Sequence, residues 1–249
     1  MGCEDRSGFP GLPLPVMADA TAAPSVTSPL RRQPRQARSQ ERVRRILAAA
    51  EELFVAGGVG STTTTNAIAA RAGVPIGSLY QFFPDKGAIL RSLAQLYAEQ
   101  LHELLTAFFD RGDGRTLSLE ASITAAVALT DRFLRDHPGY PAIFLDVQSA
   151  TPELLAIEEE ADVRLINHWS GLIALKASAE GSHLNAEEGH LIAYVLVKTV
   201  GHLLWLAATQ EQGRRERLVA ECGDLAIAYL RRRLTAACSP HQLCQALDP

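Results

Sequence analysis

From about residue 39 onward the apolar positions recur at three- and four-residue steps, and no run of two-residue alternation makes a convincing strand. Over 39–56, Val43, Ile46, Leu47, Ala50, Leu53 and Phe54 form one stripe, which predicts an amphipathic helix stopped by Gly57 and Gly58. Thr63 or Thr64 then N-caps a short helix whose apolar side is Ala67, Ile68 and Ala72, and Gly73 ends it. Pro75 opens a second short helix reaching about Phe82. Pro84 and Asp85 open a long one, with Ile89, Leu93, Leu96, Leu101, Leu104 and Phe108 as its stripe up to about Phe109. The segment RGDGRTLS reads as a linker, and five further helices follow at about 117–136, 139–149, 152–179, 185–210 and 214–235. The predicted fold class is all-α with about nine helices.

Two short helices joined by a tight turn and followed by a proline-started exit helix make a helix-turn-helix. The faces of the second short helix follow from about 100° of rotation per residue. Phe83 and Ile76 fall on the Leu79 side, while Gly77 and Gln81 fall almost opposite, in the company of Ser78 and Tyr80. Leu79 and Phe83 are therefore assigned to the core. The outward side is small and nearly uncharged, with an amide and hydroxyls able to hydrogen-bond base edges or phosphates, which suits a major groove.

The stretch IAARAGVPIGSLYQFFPDKGAIL, together with RSQERVRRILAAAEELFVAGGVGSTT upstream, resembles the DNA-binding module of the tetracycline-repressor-like (TetR) family over roughly residues 35 to 95. The resemblance rests on a Thr-rich helix start followed by I-A, A-G-V, G-S-L-Y, an aromatic pair and a lysine. It implies an N-terminal three-helix DNA-binding domain and a C-terminal helical bundle for ligand binding and dimerisation. The candidate DNA contacts are Arg38, Arg42, Thr64, Thr65, Gly77, Ser78, Tyr80, Gln81 and Lys86, with Lys86 resembling the family's phosphate anchor. Pro75, Ile76 and Phe82 stand where the family often has Ser, a basic residue and Tyr or His, so up to three phosphate donors are missing. Arg38, Arg42 and the arginines before them are the candidates to compensate. Ala67 replaces a frequent acid, which weakens the first cap.

Charge supports this division. The formal net charge of −4 hides an uneven distribution: positions 31–91 carry +6 and the remainder −10. RRQPRQARSQERVRR alone has seven arginines against one glutamate, which fits phosphate or minor-groove contact better than a solvated basic tail. The expected domains are a disordered tail at 1–33, the helix-turn-helix domain at 34–88, the ligand-binding and dimerisation domain at 89–238, and a tail at 239–249. Cys3, Cys222, Cys238 and Cys244 show no metal-finger or disulfide-framework spacing, so inert thiols in a reducing cytoplasm are expected. The N-terminal residues lack the apolar run of a signal peptide. Residues 191–208, interrupted by Lys198, Gly201 and His202, fall short of a clean membrane span of about 20 residues.

Catalytic patterns are missing: there is no G-x-S-x-G, phosphate loop, dinucleotide fingerprint or H-E-x-x-H. His183 and His190 near Glu187 and Glu188 fit no standard metal spacing, and Glu158 to Glu160 read as a solvent face. No catalytic residue, metal or cofactor is expected. Phe133, His137, Tyr140, Phe144, His168, Trp169 and Tyr194 are the ligand-binding candidates, with His202 and Trp205 in the same aromatic cluster; core packing is the alternative for any of them. The helix around 186–208 is apolar nearly all round and the next carries a stripe, so Leu196, Val200, Leu203, Leu204, Leu218, Cys222, Leu225 and Tyr229 are candidates for a four-helix dimer interface. The alternative is that these residues bury themselves within one chain. The functional expectation is a homodimeric transcriptional regulator, a repressor released from a palindromic operator by a small molecule. The competing reading is a helical ligand-binding protein or enzyme with a vestigial DNA-binding head.

Overall fold

The computed structural model describes residues 37–58, 63–111, 113–144, 151–182 and 184–237. Both expected tails, the arginines before Ala37, His183 and three of the four cysteines lie outside the described residues. Among the described residues there are nine α-helices and no strand: α1 (Ala37–Gly57), α2 (Thr65–Ala72), α3 (Ile76–Phe82), α4 (Lys86–Arg111), α5 (Leu119–Asp136), α6 (Gly139–Phe144), α7 (Pro152–Ala179), α8 (Ala186–Ala208) and α9 (Gln212–Ala237). The all-α expectation and its order of elements hold. The predicted helix at 139–149 is described only as far as Phe144.

Local chemistry sets the boundaries. The Thr64 hydroxyl accepts from the Ala67 amide and caps α2, while Gly73 closes it in the left-handed region at φ 62°. The Asp85 carboxylate accepts from the Ala88 amide at 2.7 Å, so it caps α4. Ser118 caps α5, Thr151 caps α7 ahead of Pro152, and Asn185 with Glu188 forms a reciprocal capping box on α8. The predicted linker between α4 and α5 contains a 3-10 turn at Asp113–Thr116 and is pinned rather than loose. The buried Lys176 ammonium of α7 donates to the carbonyls of Gly114 and Leu117, and Glu180 accepts from the Leu119 amide at 2.9 Å.

Packing joins head and body through one continuous core. In the head, α1 buries Val43, Ile46, Ala50 and Phe54 against Ile68 of α2, Leu79 and Phe82 of α3, and Phe83. The same core continues along α4 through Ile89, Leu93 and Tyr97 to Leu101, Leu105 and Phe109, where α5, α7, α8 and α9 surround it. By length and hydropathy α8 could span a membrane, contrary to the sequence expectation. Its inner face nevertheless packs on α7 and α9, and Ile192, Ala193 and Ala207 are fully buried there. An ion pair from Arg215 of α9 to Asp131 of α5 at 2.7 Å, both side chains largely buried, fixes α9 across the bundle.

Body and head meet at the start of α6. Gly139 sits against the Tyr97 hydroxyl and the Glu51 side chain; a Cβ placed there would lie 2.4 Å from the former and 2.7 Å from the Cγ of the latter. Burial, and next the Glu51 carboxylate beside it, hold the Tyr97 phenol well above its ordinary range. Replacing Gly139 with Ala should overpack this junction and lower unfolding stability by about 1 to 3 kcal/mol, read as a shifted midpoint with unchanged slope in urea denaturation.

Candidate functional site

The outward surface of α3 is assembled by its neighbours. Leu79, Phe82 and Phe83 are buried beneath it, and they anchor the helix to α1 and α2. Gly77, Tyr80 and Gln81 are exposed and Ser78 is half-buried, so the polar side computed from the sequence is the side presented to solvent. Ile76 differs from expectation: it lies at the first turn of α3 and is 37% exposed, so it belongs to the outward surface and not to the core. No side chain beyond Gly77 approaches within 4 Å of where its Cβ would be, which leaves open space for another molecule.

Two contacts hold this unit together that the sequence did not reveal. The Thr65 hydroxyl pairs with the Tyr80 hydroxyl at 3.0 Å, tying the start of α2 to the outer side of α3. Arg45 of α1 donates to the carbonyls of Ala72 and Gly73, satisfying the exposed end of α2 and bracing the turn. Thr64 is committed to its cap through the Ala67 amide. Lys86 is half-buried at the first position of α4, while Arg38 and Arg42 are exposed on the first turns of α1. Of the predicted nucleic-acid residues, Thr65 and Tyr80 meet across α2 and α3, while Arg38 and Arg42 lie on α1 and Lys86 at the start of α4. The surface offers a glycine for backbone approach, hydroxyl and amide groups, and cations at its edges.

A second concavity lies inside the body. Residues of α4, α5, α6, α7, α8 and α9 enclose a chamber of about 190 Å³. Leu101, Leu105, Val127, Leu196 and Leu204 make its apolar walls, and Tyr140, Trp169 and Trp205 supply aromatic surface. Of the seven predicted ligand residues only Tyr140 and Trp169 line it. Phe133 and His137 pack instead on Tyr97 and Tyr140, Phe144 stacks on Trp205, and His168 meets His102 outside the chamber. Tyr194 is 45% exposed and does not line the chamber.

The polar end of the chamber is formed by Glu158 and Asp162 of α7 with Lys198 and His202 of α8. This corrects the reading of 158–160 as a solvent face: Glu159 and Glu160 are exposed, but Glu158 is half-buried and turned to the chamber. Burial pushes both the Glu158 and Asp162 carboxyls up. Lys198 bonds Asp162 at 2.5 Å and Glu159 at 2.9 Å. A usable signal was present: Glu158 with Asp162, and Lys198 with His202, are i,i+4 pairs, the second of them on a helix otherwise mostly apolar at that turn.

The proposed dimer residues divide. Leu196, Val200, Leu204 and Cys222 are buried within the chain, because α8 turns that side toward α7 and α9. Leu203, Leu218 and Tyr229 are half-buried, and Leu225 is 47% exposed. The outward apolar positions of α8 are Leu191, Tyr194 and Leu206. Burial, with Glu221 as a lesser cause, raises the Cys222 thiol, which keeps it protonated and unreactive.

A three-helix head with an exposed second helix, joined to a helical body containing a chamber, defines a helix-turn-helix transcription regulator with a ligand-binding domain. Sequence comparison specifies it further. Residues 46–93 match the family described as bacterial regulatory proteins, tetR family, and residues 118–230 match the tetracyclin repressor-like C-terminal domain. The chain belongs to the TetR family of transcriptional regulators. No curated protein matches it. Among solved structures it is similar to a TetR-family regulator from Streptomyces coelicolor at 27% identity, covering 78% of this chain and 99% of that one with a TM-score of 0.58. A TetR-family regulator from Mesorhizobium loti shares the fold at 20% identity, 79% and 98% coverage and a TM-score of 0.60. The fatty acid degradation regulator FadR from Bacillus halodurans does so at 17% identity, 78% and 96% coverage and a TM-score of 0.61.

The turn between α2 and α3 is the most sensitive point of the head. A Cβ at Gly73 would meet the Arg45 guanidinium at 2.8 Å, and its φ of 62° disfavours any L side chain. Gly73→Ala should lower stability by about 1 to 2 kcal/mol in thermal unfolding and weaken DNA binding in the same samples.

Proposed function

We propose that the protein is a homodimeric repressor that binds a palindromic operator in double-stranded DNA and is released by a small molecule held in its C-terminal chamber. The observation that carries the reading is the α3 surface, where Gly77 and Gln81 are exposed and Ser78 is half-exposed above the buried Leu79, Phe82 and Phe83. Two copies related by a two-fold axis set their α3 helices in successive major grooves about 34 to 36 Å apart. Ser78 and Gln81 read base edges, Gly77 admits the backbone, and Tyr80, held by Thr65, touches a phosphate or a thymine methyl. Thr64 and Thr65 at the start of α2, Arg38, Arg42 and Lys86 contact phosphates. The protein acts in the cytoplasm and has no enzymatic role.

The dimer forms through the outward sides of α8 and α9, where Leu191, Tyr194, Leu206 and Leu225 are exposed and Leu218 and Tyr229 half-exposed. The switch runs through α6. Tyr140 lines the chamber while the adjacent Gly139 abuts Tyr97 of α4 and Glu51 of α1, so a ligand that displaces α6 bears directly on the head. To empty the operator nearly completely the ligand must prefer the released state by about 5 kcal/mol.

Gln81→Ala should lose about 1 to 3 kcal/mol of discrimination at one or two base pairs, measured by selection from random duplexes; an unchanged preferred site would remove Gln81 from base reading. Lys86→Ala should instead weaken all duplexes alike and lower the salt slope by about one in titrations from low to high salt. Leu225→Glu should convert a dimer to a monomer in sedimentation equilibrium, and a variant that stays dimeric would place the interface elsewhere.

A further inference from the structure

The chamber's polar end carries a charge imbalance that bears on what it binds. Three carboxylates, Glu158, Glu159 and Asp162, stand around a single ammonium, Lys198, which forms ion pairs with Asp162 and Glu159. Glu158 has no ion pair or hydrogen bond among the described residues, yet it is half-buried where the chamber meets solvent. Beside it, Tyr140 is 5% exposed and lines the same chamber. Tyr140 lies close enough for both acids to perturb its phenol, which burial first, then Asp162 and Glu158, push up. A half-buried carboxylate left without a partner at the end of an apolar chamber is a group that a bound molecule would satisfy.

We propose that the chamber takes a small lipophilic cation, an aromatic or branched alkyl body bearing one positively charged nitrogen, with that charge set against Glu158. This rests on the reading of the chamber as the effector site and adds the class of effector. An anion would enter against the carboxylate excess. A neutral apolar molecule would fill the walls but leave Glu158 without a partner. A cation gains the Glu158 carboxylate together with the electron-rich faces of Tyr140, Trp169 and Trp205. Burial raises the Glu158 carboxyl, and a cation alongside would favour its ionised form; Asp162, Lys198 and His202 face the same end, and Glu159 reaches Lys198 from the solvent side. Size agrees: an apolar cavity of about 150 Å³ holds one benzene ring, and this one encloses about 190 Å³.

The chain's two tryptophans both line the chamber, so their fluorescence reports on occupancy without DNA present. Titrating the full chain with benzyltrimethylammonium, its uncharged carbon isostere neopentylbenzene, and 3-phenylpropionate should rank the cation first by about tenfold or more, with the anion weakest. Glu158→Gln, which keeps the side-chain shape, should cut the cation's affinity about tenfold while neopentylbenzene binds as before. Circular dichroism checks that the variant is folded. Equal binding of cation and isostere, preference for the anion, no saturable response to the cation, or an unaltered Glu158→Gln would each overturn the proposal. A cation that binds as expected but leaves operator affinity unchanged supports the charge preference and counts instead against the effector reading.

Discussion

The buried stripe of α4 is the constraint on which the rest of this protein depends. Its first turns bury Ala88, Ile89 and Leu93 against the head, and its later turns bury Leu101, Leu105 and Phe109 in the body. Each large side chain on that stripe contributes about 1.5 to 3 kcal/mol of burial, so neither half can shift along α4 without losing several kcal/mol. At 26 residues the helix is about 39 Å long, enough to reach from the turn after α3 to the far end of the chamber. The head is therefore carried on a rod whose other end forms a chamber wall.

A rod shared by two cores transmits displacement only where something else restrains it. That restraint is the start of α6. Gly139 brings backbone against Tyr97 of α4 and Glu51 of α1, and no larger residue fits without moving one of them. The next residue, Tyr140, belongs to the chamber. Two adjacent residues thus face different halves of the molecule, because α6 is short and lies between α1, α4 and α8. Closely packed interiors shift between discrete arrangements more readily than they deform continuously, which suits such a junction to switching.

The two polar features of the protein follow opposite rules. On α3 the polar groups are uncharged and at least partly exposed above apolar anchors, so they remain accessible to another molecule. In the chamber the polar groups are charged and partly withdrawn from water, and the pairing of Lys198 with Asp162 and Glu159 offsets part of that cost. The compensation is incomplete at Glu158. An unsatisfied carboxylate in a half-buried position is tolerated where solvent or a ligand can reach it.

The primary structure by itself determined what depends on near neighbours: the helix-turn-helix, its capping Thr64 and closing Gly73, the outward side of α3, and the order of helices. These arise from spacing, caps and glycine or proline stops, all of which act within about one or two turns. Only the tertiary structure decided which side of α8 is inside, turning Leu196, Val200 and Leu204 toward the core and Tyr194 away from it. It also decided that Arg45 braces the turn, that Gly139 meets Tyr97 and Glu51, and that Glu158 faces a chamber while Glu159 faces water. A helix apolar nearly all round carries no periodic signal of its own orientation. Which of its faces becomes a wall, a core or a surface is set by the partners that pack on it, and those come from distant parts of the chain.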